Sequence, residues 1–239
     1  MFCLNGVGSI LECDIFPPIE LKGNWELGLI DFMTYNSIPN VEENVNNKFY
    51  YGDDVIDIPT GSYEIDDING YLQNKIRKRN NKESKQLKFI LRANNNTFKS
   101  EIYSNLAIDF TKPNSIASLL GFNETILEPN KWHVSPLPID IIITEAVRIV
   151  CNIVSGSLKN GIESHILHEF YPTVGPGYKI IEVPTNVIYL PVNTSRLHNI
   201  TVRLEDQDGK LVNFRQETIT VRLHLRRNQD GSHLLLRIR

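Results

Sequence analysis

The sequence predicts an all-β fold, a single jelly-roll β-sandwich with two short inserted helices. The clearest sign is the alternation of apolar and polar residues over residues 199–205 and 217–226. Because successive side chains of a strand point to opposite faces, each segment has one apolar face for a core and one polar face for solvent. Roughly ten segments that read as short strands, separated by turn residues, favour two packed antiparallel sheets. The apolar stripes expected to face the core are Ile200, Val202 and Leu204 in the first segment and Ile219, Val221, Leu223 and Leu225 in the second.

A tight turn is predicted between these two strands. Asp208-Gly209 is a favoured dipeptide of type I′ turns, since both central residues of such a turn need positive φ. Residues 210–214 follow directly and read as a strand. We therefore expect a hairpin in which residues 210–214 return beside residues 199–205.

Two strands are expected near the start of the chain, at residues 8–16 and 25–35. Pro17-Pro18 is expected to separate them, because proline has no N–H to donate to a sheet. The asparagine-rich and acidic residues 40–47 are predicted to form a loop. Extended structure is expected to resume at residues 48–51 and 55–58.

The first predicted helix spans about residues 65–79. Acidic residues occupy its first turn and basic residues its last, as the helix dipole favours. A hairpin is expected next, from residues 87–91 and 98–103, followed by a short helix at residues 115–120 that Gly121 ends. One apolar stripe is expected to pack the first helix on a sheet, and it consists of Ile65, Ile68, Leu72 and Ile76.

A long, bulged strand is predicted at residues 139–154, with Cys151 on its apolar face. Further strands are expected at residues 162–171, 178–183 and 186–192. The proline- and glycine-rich residues 172–177 are predicted to form a loop, since no regular element crosses such a segment easily.

The composition fits one large β domain. The chain has 239 residues, 41% of them hydrophobic, and a net charge of −3, so no global attraction to nucleic acid is expected. We predict a single domain over residues 1–239 with a short basic tail at about 227–239. The three cysteines show no metal-ligand spacing and indicate reduced thiols in an intracellular fold, with no signal peptide and no membrane span.

Three groups of residues superficially resemble a metal site or a catalytic site. His165 and His168 lie three apart beside Glu169, and on a strand they would face opposite sides, which disfavours a shared zinc ion. Residues 206–217 echo a calcium loop, although apolar residues interrupt it and a hairpin turn explains it better. Cys151 lies in an apolar stripe, unlike a nucleophilic cysteine. The sequence therefore predicts no enzyme, no metal site and no cofactor.

The end of the chain is locally basic. These arginines could contact a polyanion, or they could simply protect a solvated strand edge. The residues singled out for polyanion contact are Arg226, Arg227, Arg237 and Arg239.

Several blocks of the sequence, taken in order, resemble a known family. They read WELGLIDF (residues 25–32), YNSIPN (35–40), IPTGSYEIDDI (58–68), NSIASLLGF (114–122), YKIIEVP (178–184) and VIYLPV (187–192). Together with the alternating strands near the end of the chain, they resemble the minor capsid, or penton, proteins of Maverick/Polinton elements and adintovirus-like viruses. Gln216 stands where the resemblance leads us to expect glycine, and residues 232–239 match nothing in the family.

The resemblance implies a structural virion protein, a single jelly roll that forms a homopentamer at the fivefold vertices of an icosahedral capsid. A double-jelly-roll major capsid protein would be its partner, and the basic tail would make weak contact with packaged DNA. Assembly would be intracellular, in a compartment that the sequence does not identify. The alternatives are a cellular jelly-roll binding module, lectin-like or cytokine-like, and a metal-dependent β-helix enzyme. Besides the loop at residues 40–47, inter-subunit contacts are expected at Pro172, Gly175, Pro176 and Gly177.

Overall fold

The computed structural model describes residues 1–83, 88–141 and 144–228. The chain forms two compact units. The first consists of Met1–Ser37 together with the residues from Thr144 onward, and the second is Ile38–Ile143. The single domain expected over residues 1–239 stays a prediction, and each unit is described by itself.

The described residues contain eighteen strands and one helix. In chain order they are β1 (Phe2–Val7), β2 (Ile10–Glu20), β3 (Trp25–Tyr35), β4 (Lys48–Tyr51), β5 (Asp54–Asp57), α1 (Ile65–Glu83), β6 (Phe89–Asn94), β7 (Lys99–Ser104), β8 (Ile108–Asp109), β9 (Ile126–Leu127), β10 (Lys131–Val134), β11 (Val147–Cys151), β12 (Ser157–Lys159), β13 (Ile162–Ser164), β14 (Ile166–Phe170), β15 (Lys179–Glu182), β16 (Leu190–Pro191), β17 (Arg196–Glu205) and β18 (Thr218–Arg227).

The first unit is a jelly roll. One of its sheets has the strand order β1-β18-β3-β15, with β16 also paired to β3, and the other has the order β14-β11-β17-β2. All of these pairs are antiparallel. Without β16, the two sheets contain eight strands, which can be numbered 1 to 8 along the chain: β1, β2, β3, β11, β14, β15, β17 and β18. In this numbering the sheets have the orders 1-8-3-6 and 5-4-7-2, which is the strand order of a double-sheet jelly roll. The predicted all-β jelly-roll sandwich is confirmed.

The core of the first unit lies on the inner faces of these two sheets. The predicted stripes of β17 and β18 are fully buried, except that Leu225 near the end of β18 is only partly buried. Phe32 packs against Phe170 and Phe214, with ring centroids 5.1 and 6.2 Å apart. Cys151 is buried in β11, and its burial raises the pKa of the thiol to about 11. This confirms the prediction that Cys151 is a core residue.

Strand β2 runs through the two prolines that were expected to end it. Pro17 and Pro18 lie in an edge strand, where a missing N–H costs no hydrogen bond on the outer side. The register with β17 also shifts here, between Leu197 and Asn199, and this irregularity accommodates the prolines. The prediction of a strand end at Pro17 was therefore wrong.

The turn after β17 differs from the predicted type I′ hairpin. Gly209 has a φ of +85°, while Asp208 does not have positive φ. The carboxylate of Asp206 accepts the N–H groups of Asp208 and Lys210 at 2.8 and 2.9 Å and so holds the turn. Residues 210–214 return to β17 through one isolated bridge, between Leu211 and Glu205, and do not form a strand.

Three other predicted strands are shorter or divided. The strand expected at residues 139–154 is confined to β11, and the one expected at 186–192 to β16. The strand expected at 162–171 is divided at His165 into β13, which pairs with β12, and β14, which pairs with β11. Apolar composition indicated that each of these segments contains a strand. The bounds of the strand depend on the pairing partners, which the composition does not show.

The second unit is built around α1. Asp67 accepts the N–H of Glu64 at 3.0 Å at the start of the helix. The helix carries the predicted buried stripe, and it packs in a core with side chains of β4, β6 and β7. Two small sheets complete the unit, with orders β10-β7-β6 and β5-β4-β8-β9. The expected β6–β7 hairpin forms, whereas residues 115–120 form consecutive turns and not a second helix. No helix in the described part of the chain is long and apolar enough to cross a membrane.

Candidate assembly surface

The jelly roll has two flanks, each made of one edge strand from each sheet. Strands β1 and β2 follow each other in the chain and form the β1–β2 flank. Strands β14 and β15 form the β14–β15 flank, where His168 of β14 contacts Glu182 of β15 at 2.9 Å. A strand edge offers unpaired backbone groups and is therefore a place where another chain can bind.

The β1–β2 flank is apolar although it is exposed. Phe16 is its most prominent side chain, with 94% of its surface exposed. It projects from the stretch of β2 where the register with β17 shifts. The other exposed apolar side chains of this flank are Val7, Ile10 and Ile19.

The β14–β15 flank is apolar as well. Ile181 of β15 pairs with Met33 of β3 and remains 59% exposed. Val183, which follows the end of β15 directly, is 61% exposed. The other exposed apolar side chains here are Tyr171 and Tyr178. Sequence reasoning missed both flanks, because alternation alone does not show which strands end up at an edge.

Several loops of the first unit gather at one end of the sandwich. Ser9, in the turn between β1 and β2, donates its hydroxyl to the carbonyl of Val212, and Leu204 donates its N–H to the carbonyl of Ser9 at 2.8 Å. Ser37, after β3, donates its hydroxyl to the carbonyl of Phe214. Asn36 donates its N–H to the carbonyl of Tyr178 at 2.8 Å. The loop at residues 171–178 therefore meets the loop at residues 206–217 at this end.

The predicted contact loop at residues 172–177 lies at this end. Gly175, Pro176 and Gly177 are exposed, and Pro172 is partly buried. Asn36 holds the loop through two hydrogen bonds. Its side-chain amide donates to the carbonyl of Val174 at 2.7 Å, and its main-chain carbonyl accepts from the N–H of Gly177 at 2.8 Å. The loop is thus tied to the residue that follows β3, and its role in subunit contact stays a prediction.

The other predicted contact loop, residues 40–47, belongs to the second unit. Its asparagines point largely inward. The amide of Asn40 donates to the carbonyls of Tyr63 and Ile141, and that of Asn47 donates to the carbonyl of Ile58. The asparagine-rich composition therefore serves the fold of the loop itself. Its role in subunit contact stays a prediction for the exposed residues 43–45.

The predicted polyanion contacts fall into two groups. Arg226 pairs with Glu26 at 2.8 Å and lies 3.5 Å from the ring centroid of Tyr189, so its charge is already compensated. Arg227 is exposed. Arg237 and Arg239 lie outside the described residues. Contact of these arginines with a polyanion stays a prediction, and Arg226 is the weakest member of the set.

The side chains of His165 and His168 do not converge on one point where a metal ion could bind. His165 contacts the carbonyl of Val154 at 2.6 Å, whereas His168 contacts Glu182, and Glu169 pairs with Arg148. Over residues 1–83, 88–141 and 144–228, no group of three or more His, Cys, Asp and Glu side chains is placed to hold a metal ion. The carboxylate of Asp206, which would open the calcium loop, is engaged by the backbone of its own turn.

Gln216 occupies a backbone position that suits glycine. Its φ is +64°, and that of the preceding Arg215 is +50°. Residues other than glycine adopt this left-handed conformation at a cost. The glycine that the family resemblance leads us to expect at this place therefore has a conformational reason, and the chain keeps the turn without it.

Comparison with known proteins gives likeness to solved structures but no sequence match. No protein-family model matches the chain, and no curated protein sequence matches it. Among solved structures, the chain is similar to the crystal structure of selenomethionine-labelled mavirus penton protein, with a TM-score of 0.46 and 10% sequence identity. The likeness covers 93% of this chain and 98% of the mavirus chain.

Proposed function

We propose that this chain is a structural virion protein, the penton subunit that forms the fivefold vertices of an icosahedral capsid. The single observation that carries the proposal is the pair of exposed apolar flanks on a jelly roll. Exposed apolar side chains that gather on strand edges mark surfaces for contact with another chain, and Phe16 at 94% exposure is the most prominent of them here. The family resemblance of the sequence blocks also supports the proposal.

A ring of identical subunits needs two different surfaces on each subunit, which meet around the ring. A jelly roll with one apolar flank on each side meets this requirement. In this proposal the homopentamer contacts a double-jelly-roll major capsid protein, and the basic tail makes weak contact with packaged DNA. The protein would be found in the virion at the capsid vertex, after intracellular assembly.

The oligomeric state tests this function. The purified protein, alone and co-expressed with a double-jelly-roll major capsid protein, should be measured by light scattering, native mass spectrometry and electron microscopy. We expect pentamers, at least at high protein concentration or with the major capsid protein. A protein that stays monomeric under all these conditions, or that closes into trimers, would contradict the proposal and leave the jelly roll unaffected.

A further inference from the structure

We propose that two copies of this chain join flank to flank, with the β1–β2 flank of one copy packed against the β14–β15 flank of the next. This inference rests on the proposed function and names the contact surfaces of the ring. Phe16 is the central side chain on one flank, and Ile181 is its counterpart on the other. Both are apolar and largely exposed in the isolated chain, at 94% and 59%.

The strand order places the two flanks on opposite sides of the sandwich. Strands β1 and β15 end one sheet, and β2 and β14 end the other. One copy can therefore contact two neighbours at the same time, one through each flank. A contact between two different surfaces, repeated by rotation, closes into a ring, whereas a surface that binds itself stops at a dimer.

The charges of the two flanks also favour this pairing. Residues 1–20 contain Glu12, Asp14 and Glu20 but no lysine, arginine or histidine. On the other flank, the carboxylates of Glu169 and Glu182 contact Arg148 and His168. Lys179 is exposed two residues before Ile181 and forms no ion pair with another described residue. The β1–β2 flank, which carries Phe16 and exposed carboxylates, thus meets a flank on which Lys179 lies close to Ile181. Aromatic side chains at the centre and charges at the rim are typical of specific interfaces.

The prolines of β2 define the kind of contact. Pro17 and Pro18 follow Phe16 directly and have no N–H to donate. A neighbouring strand therefore cannot extend the sheet along this part of β2. The contact is then made by packing of side chains, with Phe16 inserted beside Ile181 and Val183, and not by a continuous intermolecular sheet.

Two substitutions test the pairing, Phe16→Asp on one flank and Ile181→Asp on the other. Each places a carboxylate in the contact, and we expect each variant alone to associate about 30-fold more weakly or worse, as for loss of an interface hot spot. Each variant still has one intact flank. An equimolar mixture of the two should therefore form a one-to-one dimer, since only the Phe16 flank of one variant and the Ile181 flank of the other are unaltered.

Matched controls use the same residue types at exposed positions that belong to none of the four flank strands, Phe98→Asp in the second unit and Ile162→Asp in β13, which are 71% and 74% exposed. Both should assemble like the unaltered protein, and thermal unfolding should show that all four variants are folded. Phe16→Asp or Ile181→Asp proteins that still form pentamers would overturn the flank pairing but not the penton function. A mixture that forms no dimer would also overturn the pairing. An unaltered protein that never assembles would overturn both.

Discussion

Replacing Leu223 with alanine should destabilise the jelly roll strongly. Leu223 is fully buried in β18 between two strands, with Phe2 of β1 opposite it on one side and Leu29 of β3 on the other. The backbone on both sides is held by sheet hydrogen bonds, so the surroundings cannot collapse into the space that the substitution leaves. The cost is then the lost transfer of the side chain plus a cavity that stays open.

The size of the effect follows from that argument. Leu→Ala substitutions in protein cores cost about 2–5 kcal/mol, and sites that cannot collapse lie in the upper half of the range. We therefore expect the free energy of unfolding to fall by about 3.5–5 kcal/mol, which lowers Tm by roughly 10–15 °C in a chain of this size. Leu223→Asp should prevent folding of this unit, because an unpaired buried carboxylate costs an appreciable part of a total stability of about 5–15 kcal/mol.

Urea unfolding followed by circular dichroism measures this change, since a lower midpoint at unchanged slope reports lost stability. The matched control is Leu158→Ala, at a leucine that is 70% exposed, and its free energy of unfolding should change by less than about 0.5 kcal/mol. A loss below about 1 kcal/mol for Leu223→Ala, or a folded Leu223→Asp protein with unchanged Tm, would refute the assignment of Leu223 to a rigid core.

Three further predictions concern single positions. Gln216→Gly should raise the free energy of unfolding by about 0.5 kcal/mol in urea unfolding, because relief of the left-handed strain slightly exceeds the added chain entropy; a loss of stability would refute it. At pH 8 a disulfide reagent should modify the exposed Cys3 in the native protein but should reach Cys151 only on unfolding. Burial keeps the Cys151 thiol protonated below its pKa of about 11. Rapid modification of Cys151 in the native protein would contradict this prediction. A double-mutant cycle of Glu26→Ala and Arg226→Ala should give a coupling free energy of about 0.5–1 kcal/mol, since the pair is partly exposed, and additive effects would show that the pair contributes nothing.

Local patterns in the sequence predicted what local physics determines. Period-two alternation identified the inward faces of β17 and β18, and helical periodicity identified the stripe of α1, because burial depends directly on these repeats. The bounds of β3 were predicted in full, since the polar residues 22–24 precede a segment that is rich in apolar and aromatic residues. Each of these features can be derived from about ten consecutive residues.

Pairing between distant residues could not be predicted in this way. Glu26 and Arg226 are 200 positions apart, and nothing near either residue indicates the other. The same holds for the edge strands, because the large aromatic side chain of Phe16 does not show by itself that β2 ends its sheet and leaves Phe16 exposed. The candidate surface therefore emerged from topology, whereas the resemblance of the sequence blocks pointed to the function.

The connection between β17 and β18 shows why a strong local signal can still mislead. Asp208-Gly209 and the extended residues after it favour a hairpin with β17, but the next strand, β18, belongs to the opposite sheet. The chain must therefore cross the end of the sandwich. Residues 210–214 make this crossing and bury Val212 and Phe214 on the way. A strand at residues 210–214 would have used its N–H groups in hydrogen bonds to a neighbouring strand. A crossing segment must instead reverse direction before β18, and the positive φ angles of Arg215 and Gln216 provide that reversal.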